Sequence, residues 1–302
     1  MKIFRITLFA LLAALFAFGC TKPEPKNQRV VMIALDGLSV DGYLKAATPN
    51  LDALMAEGSL SLTTRDVMPS VTLPNWTSIL TGSGPEVHGV VGNDWEITNF
   101  TLPAVETDEK GYFPSVFKLV KDQVPGVKTA FYYNWINLFY PYNEDYFDDV
   151  AYLENDQYVP YFERAFDFMV ENRNSPSLMF LYSVHTDHVG HAHTWESSEF
   201  LRAIEEADVQ IGILLDKMKA EGLYEDTHFM LLSDHGGINY GHGGVTTQEM
   251  VVPWGITGPS VKKGFTIEEP NNTVNTAPVI LHIFGVEKPL SWTGEVIESI
   301  FE

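Results

Sequence analysis

The sequence predicts an α/β fold, a central and mostly parallel sheet with helices on both faces. Three observations carry this expectation. Val30–Leu35, Leu178–Val184 (with Ser183 its one polar residue) and Phe229–Leu232 are apolar runs of strand length, as expected of strands covered on both faces. Between the second and third runs, Phe200, Ile204, Ala207, Ile211, Leu214 and Met218 recur at alternating spacings of four and three, the stripe of an amphipathic helix. An aspartate then follows each run closely: Asp36, Asp187 and Asp234. In open α/β sheets ligands bind at the carboxyl ends of the strands, and core packing alone does not predict that coincidence.

The elements follow in chain order. Val30–Leu35 is the first strand. Thr48 is the expected N-cap of a helix with Pro49 at its first position and Leu51, Leu54 and Met55 on one face. Pro74 in a first turn opens a helix over Asn75–Thr81, with Thr72 at its positive end. Pro114–Val124 reads as a helix, Lys128–Tyr133 as a strand, Val159–Glu171 as a helix and Leu178–Val184 as a strand. Glu199–Gly222 is the clearest helix, stopped by Gly222. Phe229–Leu232 and Met250–Ile256 are strands, and Ala277–Phe284 is a short helix. No internal repeat or low-complexity segment interrupts this order.

The N-terminus reads differently. Lys2 and Arg5 precede an apolar run from Ile6 to Gly19, shorter than a spanning helix and typical of a secretory signal; an uncleaved anchor is the alternative. Ala17-Phe18-Gly19-Cys20 resembles the lipobox of bacterial lipoproteins, with Phe18 a loose fit. Residues 1–19 are thus expected to be a leader, Cys20 a lipidated first residue, residues 20–29 a polar tether, and 30–302 one domain. The expected location is the bacterial cell envelope, periplasmic or surface-exposed. Cys20 is the only cysteine, so no disulfide can form within the chain. The formal net charge of −21 argues against nucleic acid as a partner and against anionic membrane surfaces.

The chemistry lies in acidic and histidine-rich patches. Asp187 and His191, in TDHVGH, are four apart, so a helical turn or a tight loop at Gly190 brings both to one ion, and His242, in GHGG, could complete a three-ligand site with an open position. Asp36, in ALDG, with Asp234 and His235, in SDHGG, could form a second site. Carboxylate and imidazole together suit zinc and similar divalent ions. A lone histidine is more often surface or core, but six ligand candidates at strand ends point to metal-assisted displacement at phosphorus or sulfur. His185, His188 and His193 are read as rim residues, His88 as loop packing, and His228 and His282 as structural. A metal on the Thr72 hydroxyl would make it a nucleophile; on its own segment, a plain N-cap threonine is the better account.

Taken in order, ALDG, PSVTLPN running to TGSGPEVHGVVGN, D-x-x-G-H, SDHGG and GHGG resemble the alkaline phosphatase superfamily, and more narrowly the type I phosphodiesterase/nucleotide pyrophosphatase family. The resemblance runs from Val30 to Gly294. It implies an alkaline-phosphatase-like sheet with a small cap, placed at about residues 94–160. It implies two zinc ions, one held by Asp187, His191 and His242, the other by Asp36, Asp234, His235 and the Thr72 hydroxyl. Thr72 would attack a phosphate ester and pass through a phosphothreonine, with Asn93 binding a phosphate oxygen. Asn275-Thr276-Ala277-Pro278 and Trp292-Thr293-Gly294 resemble a C-terminal signature that is structural. One departure stands out: His235 and His242 are only seven apart, as in compact members of the superfamily, leaving less protein for a nucleotide pocket.

The implied partner is a small-molecule phosphate ester. Sulfatases need a Cys or Ser at the nucleophile position, which Thr72 is not. Phosphomonoesterases grip the extra charge with an arginine, and only Arg65, upstream, is near in sequence. A phosphodiester is therefore expected first and a monoester second. A metal-bearing surface lipoprotein without catalysis is the alternative from another class, disfavoured by the complete ligand set. Tyr132, Tyr133, Trp135, Phe139, Tyr140, Tyr142, Tyr146 and Phe147 could form a cap over a base or a quaternary ammonium group; core and edge packing is the better account.

Overall fold

The computed structural model describes residues 28–302. The leader, Cys20 and nearly all of the tether lie outside them. Among the described residues no helix is long and apolar enough to cross a membrane.

The elements are β1 (Arg29–Leu35), α1 (Val40–Lys45), α2 (Pro49–Ala56), β2 (Gly58–Arg65), α3 (Thr72–Thr81), α4 (Pro85–His88), α5 (Val116–Gln123), β3 (Lys128–Tyr133), β4 (Asp149–Tyr152), α6 (Val159–Glu171), β5 (Ser177–Ser183), α7 (His185–His193), α8 (Ser198–Ala220), β6 (Thr227–Leu232), α9 (Thr247–Met250), β7 (Val251–Thr257), β8 (Phe265–Thr266) and α10 (Thr276–Phe284). The strands form one sheet in the order β4-β3-β5-β1-β6-β7-β2-β8. All pairings are parallel except those of β7, which runs against both β6 and β2.

The apolar runs are buried on both faces because the sheet has a helical layer on each. In β1, Val30, Met32 and Ala34 enter the core with Trp76 of α3, Phe117 of α5 and Ile280 of α10. Val31, Ile33 and Leu35 enter the opposite core, with Leu51 of α2, Phe162 of α6 and Phe200 of α8. Period-two alternation thus divides one apolar strand between two cores.

Element ends depart from the sequence expectation by a few residues, and one departure has a clear cause. Thr48 stands at the N-cap of α2, but its hydroxyl donates to Asp52 Oδ1 at 3.2 Å instead of capping. The free N–H groups of Asn50 and Leu51 donate to the buried Asp208 carboxylate of α8, at 3.2 and 2.7 Å. A distant carboxylate therefore caps α2 and ties it to α8. Asp208→Ala is expected to lower unfolding stability by about 1–3 kcal/mol, read by urea denaturation; an unchanged midpoint would show that the cap contributes nothing.

The stretch at 94–160, expected to contribute a cap, supplies strands to the central sheet. β3 and β4 are integral strands of the sheet, and α5 packs on its face. The aromatics there are mostly core: Tyr132 is buried in the core on one face, Tyr133 and Tyr142 in the core on the other, and Trp135, Phe139, Tyr146 and Phe147 pack against the latter. Phe131 stacks on Phe180 of β5 with ring centroids 4.7 Å apart. Rings this large stabilise more by covering the sheet than by standing free. Phe100, Tyr140 and Tyr152 are the exposed aromatics among them.

The C-terminal segment braces α3. Gly82, left-handed at φ 61°, ends that helix; an added Cβ there would sit 2.5 Å from the Trp292 ring. Gly294 N–H donates to Gly82 O at 2.8 Å, and Trp254 Nε1 donates to Thr276 Oγ1 at 2.9 Å.

Candidate metal centre

β5, β1 and β6 are adjacent and parallel, with Leu35 opposite Ser183 and Ala34 opposite Leu232. Their carboxyl ends therefore meet at one edge. Asp36 leaves β1 there, its N–H donating to Ser183 O at 3.0 Å. The chain then turns at Gly37, whose φ of 67° and close approach favour glycine: a Cβ would lie 3.2 Å from the Asp187 backbone and carboxylate. Gly37 N–H donates to Asp234 Oδ1 at 3.1 Å, so one turn holds two loops together.

Asp187 and His191 lie on α7, a nine-residue helix, so four-residue spacing puts them on one face. The tight loop offered as the alternative for Gly190 is absent; a Cβ on Gly190 would lie 2.8 Å from the Trp195 ring. The Nε2 atoms of His191 and His242 each stand 3.6 Å from Asp187 Oδ1. His235 Nε2 stands 3.5 Å from Asp36 Oδ1 and 3.2 Å from Asp234 Oδ2. The tightest donor groups are Asp36–Asp234–His235 and Asp187–His235–His242, each within 4.8 Å. His235 belongs to both, because its ring stacks on His242 at 3.6 Å.

The contacts of His235 and His242 are not ion pairs. Burial, then the neighbouring His242, holds His235 well below the usual imidazole range, and burial lowers His242 as well. Neutral rings leave the carboxylates uncompensated. Burial, then the charge of Asp187, holds Asp36 well above the usual carboxylate range; burial, then Asp36, does the same to Asp234. Burial, then Asp156, pushes Asp187 up to about 7. An anionic cluster this buried is costly without cations.

The residues fit divalent metal in two further respects. Asp36 Oδ1, Asp187 Oδ1 and Asp234 Oδ2 are buried and have no hydrogen-bond partner. Each histidine is oriented by its other nitrogen: Nδ1–H of His191 donates to Tyr240 O (2.8 Å), that of His235 to Gly236 O (2.8 Å) and that of His242 to Ser70 O (2.7 Å). A carbonyl can only accept, so each Nδ1 carries a hydrogen and the Nε2 of the neutral ring is the nitrogen left to ligate a metal.

Thr72 begins α3, with Val71 as the N-cap. The plain-cap reading fails, since the buried Thr72 hydroxyl lies 3.3 Å from His235 Nε2. Asn93 reaches the same turn: its Oδ1 accepts from Leu73 N at 2.8 Å, which leaves Nδ2 as its donor. Among the outer histidines, His188 Nδ1 lies 2.7 Å from Asp156 Oδ1, and His185 stacks on Tyr158 at 5.5 Å. His193 ends α7 exposed. His88 is buried at the end of α4, not in a loop; its Nε2 is 2.9 Å from Ser78 Oγ, and burial pushes it down to about 3. His228 is buried against Pro259 O, and His282 lies beside Phe301.

Sequence reading missed the supports. Tyr182 Oη and Trp76 Nε1 both donate to Asp36 Oδ2, aiming its other oxygen inward. Burial, then Asp36, holds the Tyr182 hydroxyl far above its usual range, so it stays a donor. Trp195 donates to Gly37 O at 2.9 Å and packs on Gly190, Gly237 and the His191 ring. The available signal was positional: Tyr182 lies in a ligand-bearing strand, and Trp76 one helical turn after Thr72.

Comparison with known proteins follows this geometry. The sequence model for type I phosphodiesterase/nucleotide pyrophosphatase matches residues 30–252. An uncharacterized pyrophosphatase/phosphodiesterase of Schizosaccharomyces pombe is 27% identical over 263 residues, covering 77% of this chain and 49% of that protein. Ectonucleotide pyrophosphatase/phosphodiesterase family member 3 of Mus musculus is 26% identical over 218 residues, covering 68% of this chain and 24% of that protein. The chain thus spans half or less of the length of these curated relatives. Murine ectonucleotide pyrophosphatase/phosphodiesterase 5, solved as an inactive variant in complex with AMP, superposes with a TM-score of 0.76 at 15% identity, covering 91% of this chain and 100% of that one, so the alkaline-phosphatase-like fold is shared. The chain belongs to the type I phosphodiesterase/nucleotide pyrophosphatase family.

Proposed function

We propose that the protein is a two-metal phosphodiesterase that works through a phosphothreonine at Thr72. One observation carries this reading: a buried hydroxyl lies against His235, the imidazole shared by two donor groups whose three carboxylates have unpartnered oxygens. Asp187, His191 and His242 would hold one divalent ion, and Asp36, Asp234, His235 and the Thr72 hydroxyl the other, with zinc favoured by the donor set. Such ions supply a lowered hydroxyl pKa and neutralise charge on the phosphoryl oxygens. The chain does the rest. Thr72 Oγ1 attacks phosphorus, the ester alcohol departs with a proton, and water then cleaves the phosphothreonine to return the hydroxyl. Asn93 Nδ2 and the positive end of α3 bind phosphate oxygen.

The substrate class is a small phosphodiester of the nucleotide type, in keeping with the names of the relatives and the AMP bound by the murine protein. A diester is preferred over a monoester because Arg65, the arginine nearest Thr72 in sequence, is exposed and lines a cleft with Asp41 and Glu196 that contains none of the proposed ligands. The N-terminal pattern supports lipidation at Cys20 and a place in the cell envelope, held to the membrane by the lipid. The test compares bis-p-nitrophenyl phosphate with p-nitrophenyl phosphate, with zinc and after chelation. Diester turnover should exceed monoester turnover and vanish on chelation; faster monoester turnover would make the protein a phosphatase, and none of either would overturn the catalytic reading.

A further inference from the structure

The segment joining β2 to α3 is wrapped around one side chain. Asn75 is wholly buried in the first turns of α3. Its Oδ1 accepts from Val67 N at 2.8 Å. Its Nδ2 has three carbonyls in reach, Pro69 O at 2.9 Å, Val71 O at 3.1 Å and Val67 O at 3.2 Å. A primary amide offers one acceptor and two N–H donors, so every polar atom of Asn75 is spent on the five residues before Thr72.

Those residues carry a second set of contacts, made by Ser70. Its carbonyl accepts from His242 Nδ1 at 2.7 Å. Its hydroxyl donates to Gly244 O at 2.8 Å and accepts from Gly243 N at 3.0 Å. Ser70 thus clasps the backbone on the far side of His242 as well as orienting its ring. Thr72 follows two residues later, with its hydroxyl on His235. One amide side chain therefore fixes the strip of backbone that sets both the proposed nucleophile and, more than 160 residues away in sequence, one proposed metal ligand.

We infer that Asn75 is a positioning residue that acts through Ser70 to hold His242 in its metal-binding orientation. This rests on the two-metal reading above. The Asp36–Asp234–His235 group draws no ligand orientation from Ser70: Asp36 is held by Tyr182 and Trp76, Asp234 by Gly37, and His235 by Gly236. Thr72 also belongs to the other set, but Asp36, Asp234 and His235 remain there without it, so loss of Asn75 should weaken the His242 site far more than the other. A merely structural residue would weaken both equally, since both depend on the fold.

The experiment is a zinc titration of the full chain against a competing chromophoric chelator, with folding checked by circular dichroism. Wild type should bind two equivalents. Asn75→Ala should retain one and weaken the other about 10–100-fold, the usual effect of losing the partner of a ligand. If Asn75→Ala does not fold, Ser70→Ala, which leaves the Asn75 bonds intact and removes the two hydroxyl bonds beside His242, should show the same one-sided loss. Equal weakening of both sites, or no change in either, would overturn the inference while the two-metal reading stands. Wild type that binds no zinc would overturn both.

Discussion

Thr72→Ala is expected to lower diester turnover by about 10³-fold or more, the scale seen when a covalent nucleophile is removed. The geometry makes this a clean substitution. The side chain is buried and is shortened by the hydroxyl and one methyl, the helix cap belongs to Val71 and Asn93, and among the described residues the hydroxyl's only partner is His235 at 3.3 Å. Alanine is also a good helix former, so the thermal midpoint should stay close to wild type. Zinc content should stay at two, because three protein ligands remain in each set. Thr72→Ser keeps the hydroxyl without the methyl and should retain measurable turnover. Steady-state hydrolysis of bis-p-nitrophenyl phosphate decides the matter. A Thr72→Ala protein within tenfold of wild type would mean that water attacks the ester directly and no phosphothreonine forms.

Asp66→Asn is expected to stabilise the protein, and increasingly so as pH rises. Asp66 ends the run out of β2, is 2% exposed, and neither carboxylate oxygen has a hydrogen-bond partner. Burial pushes its pKa from an ordinary 3.8 to about 8, with Arg65 pulling it down and Glu249 pushing it up. A carboxyl whose folded pKa lies above its unfolded one stabilises fully below the unfolded value, and that contribution is lost as pH climbs toward the folded value. Wild type therefore loses up to about 1.4 kcal/mol for each pH unit between roughly 4 and 8, and the amide loses none. Urea denaturation of both proteins at pH 6 and pH 8, at fixed zinc, reads the difference. The advantage of Asp66→Asn should widen between the two; a constant or shrinking gap would mean that Asp66 ionises freely in the folded protein.

The parallel core was legible because burial on both faces leaves an apolar record in β1, β5 and β6, and the residues just past such runs are marked by position. β2 left no such record. Its sequence GSLSLTTR buries Ser59, Ser61 and Thr64 completely, and they are accommodated by bonds to Lys262 O, Thr63 and Asn271 that no local pattern announces. The ligand-type residues were legible as chemistry, but their supports were not. Tyr182 sits in an apolar strand and looks like core until Asp36, 146 residues away, is seen against it. Ser70 and Asn75 look like loop and helix residues until His242 arrives. The aromatic-rich stretch was open to two readings because a ring's role depends on what covers it, and here the sheet itself does, as the favoured packing reading has it.

The position of β1 has a consequence for how the protein is made. This is the first described strand, yet its two neighbours in the sheet are residues 177–183 and 227–232. At about 5–20 residues per second on the ribosome, the strand RVVMIAL waits on the order of ten seconds or longer for a partner on either edge. Throughout that interval it is an apolar segment with both backbone edges open, the kind that pairs with other copies of itself. Nascent chains should therefore depend on a holding chaperone until the second half of the domain emerges, and chains cut short before β6 should aggregate rather than fold.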